Sequence, residues 1–141
     1  MINVVIISNN PEKDIGLLSQ HDDMSILKVL PTAIDNIIEQ IGEQHPDIII
    51  IANGTDANSP GRLCRFLSQH YYDVRTLILS EVSPTFKMLE NSGFKARGYI
   101  MPEQHEALAK AVRVVFDGEA WLPRKLVTEM LNRFTATFLS A

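Results

Sequence analysis

Short apolar runs that read as strands alternate with amphipathic stretches along most of the chain, and no other feature narrows the fold as far. Ile2 to Ile7 is a β-branched run closed by Ser8-Asn9-Asn10-Pro11, a turn that opens a helix. Met24 to Leu30, the isoleucine row Ile48 to Ile51 between Pro46 and Gly54, Val74 to Leu79, and Tyr99 to Met101 supply four more strands. The isoleucine row is continuous rather than alternating, which suggests strands covered on both faces, as in a parallel sheet. Helical stripes lie between them: Ala33, Ile34, Ile37, Ile38 and Ile41; Leu63, Phe66 and Leu67; Phe86 and Leu89; Leu108, Ala111, Val112 and Val115. Thr32, Ser59-Pro60 and Ser83-Pro84 are start signals, and Gly42, Gly93 and Gly118 are stops. Each parallel crossover must be right-handed and return over a sheet face, so the pattern predicts a doubly wound α/β domain with a five-stranded parallel sheet.

With 141 residues, 45% of them hydrophobic and 21% charged, the chain suits one ordinary domain. A formal charge of −4 lacks the basic field that carries non-specific nucleic-acid binding, so direct DNA contact by these residues is disfavoured. Cys64 is the single cysteine and can close no disulfide within the chain, which favours a reducing compartment. No apolar run approaches the roughly 18 residues of a membrane-spanning helix. Nothing basic precedes Ile2 as in a signal peptide. The expectation is a cytoplasmic protein without a membrane partner.

The end of the chain departs from the repeating pattern. Residues 1–118 complete the α/β unit, and residues 119–141 form a C-terminal extension, with Leu126, Val127, Met130, Leu131, Phe134 and Phe138 at helical spacing. This extra helix of about 17 residues spans roughly 25 Å. From Pro123 to Ala141 it carries a net +2, opposite in sign to the whole chain, through Arg124, Lys125 and Arg133 against Glu129. Its apolar side needs a cover from this domain, a second copy or another domain.

His45-Pro46-Asp47 followed by Ile48 to Ile51 resembles the third-strand entry of response-regulator receiver domains. So do Leu79-Ser80 and the stretch Asn91-Ser92-Gly93-Phe94-Lys95-Ala96-Arg97-Gly98-Tyr99-Ile100. The run Asp117-Gly118-Glu119-Ala120-Trp121-Leu122-Pro123-Arg124 is similar to the receiver-to-linker region of LuxR-type transcriptional regulators. The resemblance covers residues 2 to about 130, and it implies a flavodoxin-like sheet of order 2-1-3-4-5 with ligands beyond the carboxyl ends of the strands.

Receivers of this kind work with an acidic pair after strand one to hold Mg²⁺, a phosphoryl-accepting Asp ending strand three, a Ser or Thr ending strand four and a Lys ending strand five. Phosphoryl transfer needs that nucleophile, that hard cation and that fixed positive charge. The matching positions here are Ser8 and Asn9, Ala52, Ser80 and Pro102. Only Ser80 is retained. The resemblance therefore implies a degenerate phosphorylation pocket in a pseudo-receiver, with no catalytic residue, no metal site and no cofactor. Asp56, four residues beyond Ala52, could replace the missing carboxylate only if its polar loop turned back; capping a turn is its simpler role.

Other constellations are weaker. His21, His45, His70 and His105 lack metal-ligand spacing, and Cys64 beside Leu63 reads as a small buried side chain. There is no glycine-rich phosphate loop or nucleophile elbow, so an enzyme is not expected. Trp121-Leu122-Pro123-Arg124 resembles the motif with which some LuxR-type biofilm regulators bind cyclic di-GMP, through the aromatic ring and the guanidinium. Pro123 removes the hydroxyl of that motif, and packing of Trp121 against the domain is the simpler reading. The resemblance also implies a dimer or partner face on the fourth helix, fifth strand and fifth helix, where Lys87, Glu90, Lys95, Arg97, Glu103, Glu106 and Lys110 form a mixed-charge surface suited to a two-fold pairing.

These expectations combine into a phosphorylation-independent regulatory domain of a LuxR-type transcriptional regulator, acting through dimerisation, a partner or a ligand. DNA would be read only by a helix-turn-helix part lying outside this chain. The alternatives are a stand-alone protein-interaction module and a cyclic di-GMP sensor.

Overall fold

The computed structural model describes residues 1–71 and 73–139. A five-stranded, all-parallel sheet of order β2-β1-β3-β4-β5 is built from β1 (Ile2–Ile7), β2 (Met24–Val29), β3 (Ile48–Ile51), β4 (Arg75–Leu79) and β5 (Ala96–Ile100). The helices are α1 (Pro11–Ile15), α2 (Ile34–Ile41), α3 (Pro60–His70), α4 (Phe86–Asn91), α5 (Leu108–Phe116) and α6 (Arg124–Leu139). A short 3₁₀ turn, Pro102–Ala107, joins β5 to α5. This is the doubly wound, flavodoxin-like architecture with an added C-terminal helix.

Successive strand residues point to opposite faces, so the isoleucine row divides between two apolar layers. Ile49 and Ile51 join Val5, Ile7, Ile78 and Tyr99 beneath α2, α3 and α4. Ile48 and Ile50 join Val4, Ile6, Leu77 and Ile100 beneath α5 and Leu18. All four isoleucines are fully buried. Each contributes about 1.5–3 kcal/mol, so the sequence commits its largest apolar load to the central strand.

Several boundaries differ from the sequence expectation. β5 begins at Ala96, three residues before Tyr99, because edge pairing with β4 tolerates Arg97 and Gly98, which break the apolar run. Thr32 does not cap α2; its Oγ1 accepts the Asn36 side-chain amide, and Ala33 takes the N-cap position. Ser59 does cap α3, accepting the Arg62 N–H at 3.3 Å. Helix α4 starts beyond Ser83-Pro84, where Thr85 accepts the Met88 N–H. Phe66 lies on the outer side of α3, whereas Cys64 joins Leu63 and Leu67 in the core.

The extension is built into the domain. After Gly118 the chain runs along the edge of β5, where the Trp121 N–H donates to the Arg97 carbonyl at 2.9 Å and the Tyr99 N–H donates to the Trp121 carbonyl at 3.1 Å. The Trp121 ring packs on the α5 side of the sheet, while Leu122, Leu126 and Met130 pack on the α4 side. Residues 121–130 therefore pass from one sheet face to the other and cover an otherwise unpaired edge.

Candidate functional site

The carboxyl ends of β1, β3 and β4 surround a cavity of about 230 Å³. Ser8, Asn9, Ala52 and Ser80 line it, as do Asn10, Lys13, Asp14, Asn53, Leu79, Glu81 and His105. Pro102 is not among the lining residues; it opens the 3₁₀ turn after β5 and is exposed. Four of the five positions read from the sequence thus come together, and Pro102 does not join them.

The two serines nearest the strand ends already have internal partners. Ser8, buried just past β1, donates its hydroxyl to Asp14 Oδ2 at 2.7 Å, and its Oγ accepts the Asn10 N–H at 3.0 Å. The Asn9 N–H donates to Asn53 Oδ1 at 2.9 Å, tying the β1 loop to the β3 loop. The Ala52 N–H donates to the Ile7 carbonyl, so its methyl stands at the end of the β3 ladder. Ser80 Oγ donates to the Val82 carbonyl at 2.7 Å and accepts the Val82 N–H at 3.3 Å, turning the chain out of β4.

Lys13, Asp14, Asn53, Glu81 and His105 are cavity residues that the sequence reading missed. Asp14 carries the clearest signal in retrospect: it is an acidic side chain on the short helix entered from Asn10-Pro11, six residues beyond the strand-end serine. Asp14 and Glu81 are the two carboxylates of this lining. A hard divalent cation needs several oxygen ligands arranged around one point. Asp14 is bound to the Ser8 hydroxyl, and Ala52 offers no side-chain oxygen. Among the described residues no three His, Cys, Asp or Glu side chains group as metal ligands. Asp56 is exposed in its loop and is not among the cavity-lining residues; Thr55 stabilises that turn by accepting the Asn58 N–H.

A second cleft, about 330 Å³, lies between α3 and α4 beside Ser80. Tyr99 lines it with Ala52, Gly61, Ile78, Met88 and Asn91. Burial pushes the Tyr99 phenol up to about 12 and the Cys64 thiol up to about 11. Cys64 therefore lacks the activated thiolate that a nucleophile needs.

The mixed-charge surface is not one open patch. Lys87 and Glu90 pair with each other on α4 at 3.2 Å. Arg97 Nη2 donates to the Gly118 carbonyl at 2.8 Å, beside the covered β5 edge, and Lys95 is exposed near the start of that strand. Glu103, Glu106 and Lys110 are exposed on the 3₁₀ turn and α5. Arg124, at the exposed start of α6, follows Trp121, whose backbone is committed to β5. Of the histidines, His21 Nδ1 lies 3.0 Å from Arg113 Nη2, His70 stacks edge-on with Tyr71, and His45 is exposed.

No family model matches the chain. Sequence comparison finds the oxygen regulatory protein NreC of Staphylococcus epidermidis, 28% identical over 122 residues that make up 84% of this chain and 55% of NreC. NreC of Staphylococcus carnosus is 27% identical over 125 residues, with the same coverage of both chains. The chain thus spans about half the length of the curated relatives it matches. Among solved structures, the isolated receiver domain of RcsB from Salmonella enterica serovar Typhimurium aligns with a TM-score of 0.74 at 15% identity, covering 94% of this chain and 99% of that one. An RcsB–DNA complex aligns with a TM-score of 0.72 at 15% identity, covering 90% of this chain and 66% of that one.

The fold is that of response-regulator receiver domains, with a cavity at the carboxyl ends of the strands. By sequence, 84% of the chain is similar to part of NreC.

Proposed function

We propose that this receiver domain regulates transcription without being phosphorylated, as part of a LuxR-type regulator that acts through dimerisation or contact with a partner. The observation that carries this reading is Ala52 at the end of β3, where the acceptor carboxylate would stand, opposite a Ser8 hydroxyl already given to Asp14. Without a carboxylate at Ala52 the phosphoryl bond has no nucleophile, and Pro102 supplies no lysine at the end of β5 to compensate its charge. DNA recognition belongs to a helix-turn-helix part outside these residues, a reading supported by relatives about twice as long and by an aligned regulator solved on DNA. The reading assigns no catalytic activity to the domain.

The two alternatives have less support. A cyclic di-GMP site needs a free Trp121 ring, and here that ring is half-buried against the α5 side of the sheet. A stand-alone interaction module is less favoured because the relatives it resembles are about twice this length.

The test is thermal melting of the chain with and without Mg²⁺ and beryllofluoride, a mimic of the aspartyl phosphate. An unchanged melting temperature is expected. A saturable rise that requires both ions would overturn the proposal.

A further inference from the structure

Helix α6 carries two apolar seams, and the domain covers one of them. Leu126 is buried, Met130 is partly buried, and the Arg133 guanidinium sits 4.3 Å from the centre of the Phe86 ring; these three hold the helix on α4. One residue further on, about 100° round the helix, lie Val127, Leu131, Phe134 and Phe138, which are 39%, 61%, 45% and 80% exposed. Their spacing of four, three and four is the a/d repeat of a coiled coil, a pattern that fits another helix better than a flat surface or a small ligand.

We infer that this seam is the contact between two copies of the chain, with the α6 helices antiparallel across a two-fold axis. Three observations select an identical mate in that orientation. Centred between Leu131 and Phe134, the antiparallel register sets Phe138 against Val127 of the second copy and Phe134 against its Leu131. Large rings then meet smaller side chains in every layer, the alternation that close packing favours. A parallel register would stack Phe on Phe and Arg124 on Arg124. The positions flanking the seam are Thr128, Met130, Thr135 and Thr137, so no charge opposes self-pairing. Arg124 and Lys125, at the start of one helix, come to the last turn of the other, where the helix dipole favours cations and where α6 has no basic side chain of its own.

Two heptads form a weak coiled coil when free, because the helices must first be ordered. Here Leu126, Met130 and Arg133 already hold α6 on its domain, so association orders little further chain. The inference deepens the regulatory reading by naming a dimer surface.

Sedimentation velocity of the chain from 5 to 200 µM, without any phosphoryl donor, is the test. A concentration-dependent shift from monomer to dimer is expected, and Leu131→Glu with Phe134→Glu should weaken it at least tenfold while the melting temperature and circular dichroism stay at the wild-type level. Orientation is read by oxidative cross-linking, with the wild-type chain and its buried Cys64 as the blank. Val127→Cys combined with Phe138→Cys should form a dimer disulfide, and Val127→Cys alone should not. A chain that stays monomeric to 200 µM, a dimer indifferent to the glutamates, or efficient cross-linking by Val127→Cys alone would each overturn the inference. Since no phosphoryl chemistry enters the test, a negative result leaves phosphorylation independence standing.

Discussion

Gly98 of β5 and Trp121 of the extension are in backbone contact, and the contact leaves no room for a side chain at position 98. A Cβ there would lie 2.9 Å from both the Trp121 carbonyl oxygen and its Cβ, and 2.6 Å from Leu77 Cδ2. The strand edge is closed by the protein's own chain only because this residue is glycine. Gly98→Val should therefore push the extension off β5. The expected cost is about 1–3 kcal/mol, the usual range for overpacking, together with a red shift of Trp121 fluorescence as its ring meets water. An unshifted spectrum would contradict the contact.

Leu126 anchors α6 from the other side. It is 2% exposed, and its truncation to alanine belongs to the class of buried Leu→Ala changes that cost about 2–5 kcal/mol. Because only one helix depends on it, a loss of about 2 kcal/mol is expected. Amide exchange should rise across residues 124–139 and stay unchanged in β1 and β3. Uniform acceleration along the whole chain would mean that α6 does not detach as a unit.

Cys64 is raised to about 11 by burial, so at pH 8 about one thiol in a thousand is ionised. Reaction with an aromatic disulfide reagent should be negligible in the native protein and stoichiometric after unfolding. Fast labelling of the folded chain would show that the α3 side of the core opens.

Arg113 grips Asp23 with two bonds of 2.9 Å, Nε to Oδ2 and Nη2 to Oδ1. Hydrogen bonding to that guanidinium, the largest cause, lowers the Asp23 carboxyl below its ordinary value. A depressed native pKa means that the unfolded chain binds the proton more readily, so the pair stabilises fully above pH about 4 and loses that effect as pH falls through the native value. Wild type should melt slightly above Asp23→Asn at pH 7, and the difference should vanish by pH about 2. Both side chains are nearly half exposed, so the effect is small and salt-sensitive. A difference that persists undiminished in acid would rule out this linkage.

The strands are the most legible part of the sequence because burial on two faces writes itself as apolar runs, unbroken in Ile48–Ile51 and interrupted only by Asn3 in Ile2–Ile7, and both of these match the structure to the residue. Tyr99–Met101 was misplaced because an edge strand pairs through its backbone and places no apolar demand on Arg97 or Gly98. Positions with a motif to count from, Ser8, Asn9, Ala52 and Ser80, could be placed at the cavity. Lys13, Asp14, Glu81 and His105 could not, because they reach it from loops and short helices whose direction no periodicity encodes. The route of the extension over β5 was hidden for the same reason: a single bridge at Trp121 leaves no repeating pattern.

The account turns on a receiver scaffold whose strand-end cavity takes no phosphoryl group. Intact-mass spectrometry of the chain after incubation with acetyl phosphate and Mg²⁺ addresses this most directly. The unmodified mass is the predicted result, and a chain heavier by one phosphoryl group in stoichiometric yield would contradict it.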